Sequence, residues 1–218
     1  MTTKKHHIDT ELGHLGLSPN KNFGIPNPPI YRTSTILSTS MAQHRGDLPK
    51  PYTYGRRGTP TSEAFENAVA SLYKADTCIS TCSGLSAIST AILSVVKSGE
   101  HALFPDSLYG SSRHFVKTLL RDFGIEVEFY PPRTNGRITE HFKENTRLLY
   151  LESPGSLTFE VQDVPNMSTL ARKHNIVTIC DDTWGTALHY PVLALGADIV
   201  VEAATKYIAG HSDVNLGI

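Results

Sequence analysis

From Thr59 onward the apolar positions of the chain follow two alternating periods. Phe65, Ala68, Val69 and Leu72 recur at i, i+3, i+4 and i+7, the stripe of an amphipathic helix. Thr59-Pro60 supplies a capping hydroxyl followed by proline at the first helical position. Thr77–Thr81 reads as a short strand, and Leu85, Ile88 and Ile92 mark the next helix. The pattern continues with a strand over His101–Pro105, a helix over Ser111–Phe123, and a strand in which Ile125, Val127 and Phe129 alternate. Arg147–Glu152 is a buried strand, Val164-Pro165 opens a helix through Lys173, and Ile176–Cys180 and Asp198–Val201 are two further strands. Strands alternating with helices predict an α/β domain, a mostly parallel sheet with helices on both faces. Residues 1–58 break this rhythm. Six prolines, at positions 19, 26, 28, 29, 49 and 51, and little periodicity make them an extended N-terminal arm. An arm of that length needs a surface to lie on, and a neighbouring subunit is a candidate.

Composition narrows the function classes. A formal net charge of −1 gives no general attraction to nucleic acid or anionic membrane. No run approaches the ~18 apolar residues of a membrane span. The first thirteen residues lack the apolar core of a secretory signal, and Asp9 and Glu11, with no arginine before Arg32, are unlike a mitochondrial presequence. Cys78, Cys82 and Cys180 are odd in number and lack zinc-type spacing, so they are expected to be buried, reduced thiols in a cytoplasmic protein without a metal site.

In open α/β sheets ligands gather outside the carboxyl ends of the strands, so the residues just after each strand are the ones to read. Cys82-Ser83-Gly84-Leu85-Ser86-Ala87 runs from strand into helix, and its small residues allow backbone N–H groups to approach an anion. A strand-to-helix turn needs a glycine in any case, so this feature alone does not specify a ligand. Asp181-Asp182 places two carboxylates at a strand end, where they need a positive partner or the roles of a helix cap and a solvated acid. Ala204-Thr205-Lys206-Tyr207 places a lysine just past a buried strand, and a crowded, partly desolvated setting there would lower its pKa and make it a Schiff-base candidate. Tyr109 could stack on a planar ring or simply pack. In chain order these make an anion cradle, a ring stacker, an acid and a lysine, which is the set of groups that holds pyridoxal phosphate.

The residues carry a resemblance. Tyr54-Gly55-Arg56-Arg57-Gly58-Thr59-Pro60-Thr61, Ser83-Gly84, Tyr109-Gly110, Glu152-Ser153-Pro154, Asp181-Asp182-Thr183-Trp184 and Ala204-Thr205-Lys206-Tyr207 resemble the Cys/Met-metabolism family of pyridoxal-phosphate enzymes, nearly end to end. The resemblance implies the aspartate-aminotransferase-like (fold type I) large domain over residues 59–218, preceded by the arm over 1–58 that contacts a neighbouring subunit. It implies that Lys206 holds pyridoxal 5'-phosphate as an imine, that Asp181 pairs with the ring nitrogen, and that Tyr109 lies over the ring and takes part in catalysis. It makes the N–H groups of Gly84 and Leu85 and the Thr205 hydroxyl phosphate ligands. It also implies that Tyr54 and Arg56 reach the phosphate of a partner in a homodimer or homotetramer with shared sites. Ala203 stands where many members have serine, Asp182 replaces the usual asparagine, and Gly155-Ser156-Leu157 replaces the Asn-Pro run of many γ-acting members. That run, with Trp184 and His211-Ser212-Asp213, resembles the bacterial cystathionine β-lyases. The implied substrate is a small amino-acid thioether, with no nucleic acid or membrane partner. Other members of the family (γ-lyases, γ-synthases, cysteine-conjugate β-lyases) and a non-catalytic cofactor-binding chain are the alternatives. Family members continue into a smaller C-terminal domain with an arginine for the substrate carboxylate. No residue here matches it, so the 218-residue chain by itself is expected to bind cofactor and fail as a lyase.

Overall fold

The computed structural model describes residues 7–218, which divide into two compact units, the first ending at Cys78 and the second beginning at Ile79. In the first unit the proline-rich stretch is not wholly extended. It forms two short helices, α1 (Ile8–Leu12) and α2 (Met41–Arg45), with 3-10 turns at Pro19–Lys21 and Gly55–Arg57. Helix α3 (Pro60–Tyr73) starts where the sequence places it. The Thr59 hydroxyl accepts the Ser62 N–H while the Ser62 hydroxyl accepts the Thr59 N–H, a reciprocal cap that satisfies two orphan donors. Of its apolar stripe Val69 is buried, whereas Phe65, Ala68 and Leu72 are half-buried. Within this unit α3 also anchors the preceding chain. Thr61 Oγ1 donates to Pro29 O (2.8 Å) and accepts the Tyr31 N–H (2.8 Å).

The second unit is a five-stranded, all-parallel sheet in the order β2-β1-β3-β4-β5, formed by β1 (His101–Pro105), β2 (Glu126–Tyr130), β3 (Thr146–Glu152), β4 (Val177–Asp181) and β5 (Ile199–Val201). Its helices are α4 (Gly84–Val95), α5 (Gly110–Phe115), α6 (Val164–Lys173) and α7 (Thr186–His189), and α5 continues into a π-helical turn over Val116–Leu120. Central strands buried on both faces read as continuous apolar runs. Strand alternation then divides them: Ala102, Phe104, Leu148, Tyr150, Ile179 and Val201 join Ala87, Ile88 and Ile92 of α4 in one cluster. Leu103, Leu149, Leu151 and Cys180 project the other way, toward the side on which Met167 and Ala171 of α6 are buried. Each buried Leu, Ile, Val, Phe or Met side chain among these contributes about 1.5–3 kcal/mol by leaving water. Among the described residues no helix is long and apolar enough to cross a membrane.

Three expectations need correction. Thr77–Thr81 is not a strand: only Thr81 pairs, in a single antiparallel bridge to Gly217, so the residues before it have no ladder to join. Leu85 is exposed rather than part of the α4 core stripe, because it sits in the first turn and faces away from the cluster formed by Ala87, Ile88 and Ile92. Only Cys180 of the three thiols is buried. Cys78 is half-buried and Cys82 exposed, since both lie in the irregular segment ahead of α4.

Candidate active site at the carboxyl ends of the strands

Strand β4 ends on Asp181, whose carboxyl is buried between Thr183, Tyr150 and the neighbouring strands. Asp181 Oδ1 accepts both the N–H (3.0 Å) and the hydroxyl (2.7 Å) of Thr183, and the Tyr150 hydroxyl stands 3.5 Å from Oδ2. Burial pushes the carboxyl above its ordinary pKa. The Thr183 and Tyr150 contacts and the positive charge of Lys206 oppose that shift. Thr183 also links two strand ends, because its hydroxyl accepts the Ala203 N–H (2.9 Å) just past β5. Asp182, the other acid of the pair, is fully buried. Its N–H donates to Val201 O and its carbonyl accepts the Thr186 N–H, so it ties β4 to β5 and to the start of α7. The two acids therefore have different backbone surroundings, and the Asp181 carboxyl lies under the influence of the lysine.

Lys206 lies in a turn after β5, in which its N–H donates to Ala203 O (2.8 Å) and its carbonyl accepts the Gly210 N–H (2.9 Å). The turn lifts the side chain into solvent. Lys206 is exposed, not partly desolvated as its sequence neighbours suggested, because the small residues around it end the strand instead of enclosing it. The Thr205 hydroxyl is engaged within the chain: it accepts the Leu216 N–H (2.9 Å) and faces Leu216 O at 3.0 Å.

Gly84 brings α4 against this turn. A Cβ on Gly84 would stand 2.7 Å from Ala203 Cβ and 3.0 Å from Ala203 Cα, so only glycine allows the approach. The Ser83 hydroxyl caps the Ser86 N–H, while the N–H groups of Gly84 and Leu85 head the helix where its geometry supplies no acceptor. Tyr109 caps the start of α5 as an exposed residue (47%), and its N–H donates to Glu152 Oε2 (2.9 Å). Phe159, Trp184 and Tyr207 add an exposed aromatic row beside Lys206, with ring centroids 5.2 and 6.1 Å apart. Tyr54 and Arg56 belong to the first unit, where the guanidinium lies 5.5 Å from the Tyr54 ring centroid.

Glu152, in the Glu152-Ser153-Pro154 motif, is a further strand-end acid beyond those assigned from the sequence. It closes β3 directly opposite Asp181 in the ladder and is buried. The signal was present: a single acid at the end of the apolar run Leu148–Leu151. Burial and the neighbouring Asp181 charge push its carboxyl up to about 8, against the pull of the Tyr109 and Ser156 N–H groups.

These groups suit one kind of ligand, a planar ring bearing an anion at one end and a protonated nitrogen. The close approach of Gly84 to Ala203 leaves N–H donors, not side chains, at the head of α4, and the buried carboxyl of Asp181 calls for a cation. Gly84→Ala is expected to push α4 from the turn, lowering stability by roughly 1–3 kcal/mol and weakening cofactor binding more than tenfold. Thermal unfolding and a fluorescence titration with pyridoxal phosphate check this.

Comparison with known proteins agrees. Residues 9–218 match the family model described as Cys/Met metabolism PLP-dependent enzyme, and the chain belongs to that family. Cystathionine beta-lyase of Bordetella avium is 38% identical over 224 residues, which cover 99% of this chain and 56% of that protein. L-methionine gamma-lyase of Fusobacterium nucleatum subsp. polymorphum is 37% identical, over 100% of this chain and 56% of that protein. The crystal structure of cystathionine gamma-lyase from Lactobacillus plantarum, complexed with L-serine, superposes with a TM-score of 0.89 at 29% identity, over 97% of this chain and 54% of that one. The five-stranded parallel sheet thus belongs to the fold type I large domain. The chain spans little more than half the length of the curated relatives it matches, 53% of one and 62% of another.

Proposed function

We propose that the protein carrying this chain is a cystathionine β-lyase, which cleaves L-cystathionine to homocysteine, pyruvate and ammonia with pyridoxal 5'-phosphate. The observation that supports this reading most is the meeting of two strand ends with a helix start: Lys206 after β5, Asp181 at the end of β4, and Gly84 at the head of α4, packed against Ala203. Bound there, the cofactor supplies an electron sink for the carbanion formed at the substrate Cα. The chain's residues do the rest. The Gly84 and Leu85 N–H groups take the phosphate, with the Thr205 hydroxyl turning its proton from Leu216 O. Asp181 keeps its negative charge facing the ring nitrogen, held in place by the two hydrogen bonds from Thr183. Tyr109 covers the ring from the start of α5. The exposed amine of Lys206 first anchors the cofactor, then, displaced by substrate, takes the Cα proton as a general base. The carbon–sulfur bond at Cβ breaks, the sulfur takes up a proton and leaves as homocysteine, and water hydrolyses the released three-carbon enamine to pyruvate and ammonia. Tyr54 and Arg56 are assigned to the phosphate of a partner subunit, within a homodimer or homotetramer.

The reading also rests on Gly155-Ser156-Leu157 in place of an Asn-Pro run. Product analysis tests it. Full-length protein supplied with cofactor and L-cystathionine is expected to release pyruvate and homocysteine in equal amounts. Release of 2-oxobutyrate and cysteine would make it a γ-lyase instead.

A further inference from the structure

Both oxygens of the buried Glu152 carboxyl accept backbone N–H groups from other parts of the chain. Oε2 takes the Tyr109 N–H (2.9 Å) and Oε1 takes the Ser156 N–H (2.7 Å). We propose that Glu152 is a positioning residue that clamps the start of α5, with its Tyr109 ring, to the loop 155–160 at the mouth of the site. The inference rests on the reading of Tyr109 as the residue over the cofactor ring.

The geometry around the clamp gives it that task. Loop 155–160 is a tight return, closed by Gly155 N–H to Glu160 O (2.9 Å) and Phe159 N–H to Gly155 O (3.0 Å). Leu157 and Phe159 adopt φ of 65° and 59°, a region side chains rarely enter and hold only when surrounding contacts fix them. The loop carries Phe159 to the edge of Trp184, so what holds Ser156 also sets one end of the aromatic row by Lys206. Glu152 is itself fixed by its backbone. Its N–H donates to Gln162 Oε1 (2.9 Å), and Gln162 Nε2 donates to the Tyr130 hydroxyl (3.0 Å), so β3 and the far end of the loop are tied together. Gly155 packs where a Cβ would meet Ser107 Oγ at 2.6 Å, which brings the loop against the turn that precedes Tyr109. A carboxylate suits this place because it accepts from both N–H groups at once, whereas a glutamine offers one acceptor and one donor.

Glu152→Gln keeps the volume and removes one acceptor. In cofactor-free protein above about pH 8, where the Glu152 carboxyl is ionised, amide exchange at Tyr109 or Ser156 is expected to rise about tenfold or more, as the loss of a hydrogen bond to a charged group implies. Exchange in the middle of β3 and β4 stays as in wild type. With pyridoxal phosphate bound, the induced circular dichroism of the visible band falls, because the ring loses a fixed neighbour, and kcat drops while KM for substrate moves little. Unchanged exchange at both amides, or exchange that rises through the whole of β3 and β4, would overturn the proposal. If the glutamine variant does not fold, Glu152→Asp, one methylene shorter, decides it by the same readouts, with one amide protected and the other freed. The exchange arm needs no cofactor, and wild-type cofactor binding is scored separately, so failure of the clamp and failure of the site assignment give different results.

Discussion

Lys206→Ala protein will release pyruvate from L-cystathionine at least about 10³-fold more slowly than wild type, because the variant loses both the amine that anchors the cofactor and the base at Cα. The exposure of Lys206 makes the result interpretable. Its side chain buries little, so unfolding temperature should stay within a degree or two of wild type. Pyridoxal phosphate should still bind, more weakly, since the Gly84 and Leu85 N–H groups remain. One electrostatic consequence reaches Asp181. Without the Lys206 charge, burial pushes that carboxyl higher still, and the empty site becomes harder to ionise. A variant that kept near-normal turnover would remove Lys206 from the mechanism.

Asp181→Asn is the second large effect, and it separates activity from stability. The asparagine Oδ1 can still accept both hydrogen bonds from Thr183, so the strand end keeps its shape. The charge facing the ring nitrogen disappears, and turnover is expected to fall about 10²–10³-fold, the scale of a preorganised electrostatic contact. Stability should move the other way. The Glu152 carboxyl has its pKa raised from the ordinary 4.5 to about 8 in the folded protein. Between those values the folded state binds more protons than the unfolded one, so that contribution to stability is full below about 4.5 and is lost as pH rises through about 8. Removing the Asp181 charge lowers the Glu152 pKa toward its ordinary value and recovers part of that loss at pH 7 to 8. The measurement is paired: pyruvate release at saturating substrate, and unfolding temperature from pH 5 to 9. Normal turnover, or a variant less stable at pH 8 than wild type, would contradict the role given to Asp181.

Where the chain's own neighbours decide structure, the sequence was a sufficient guide. Thr59-Pro60 caps α3 through atoms within three residues, β1 spans His101–Pro105, and α6 spans Val164–Lys173, each as the local pattern predicts. Asp181 closes β4 and Lys206 follows β5, as the strand-end reading expects, whereas Gly84 opens α4 with no strand before it. The features it could not supply depend on distant partners. Thr77–Thr81 reads as a short strand, but a ladder needs a second chain segment, and only Gly217 pairs with it. The exposure of Lys206 follows from the course of the turn, which composition does not encode. The two acids after β4 look alike in sequence. They differ because Asp181 meets Thr183 and the Lys206 charge while Asp182 is held wholly inside. Glu152 acts through amides 43 and 4 residues away, at Tyr109 and Ser156, a relation visible only when β3 and the start of α5 are folded together.

The most direct test of the central claim is chemical. Purified protein is incubated with pyridoxal phosphate, reduced with borohydride, digested, and its peptides mapped by mass. The account predicts one reduced cofactor per chain, covalently on the Nζ of Lys206. Label on another lysine, or no stable label with the visible band of a bound cofactor absent, would contradict it.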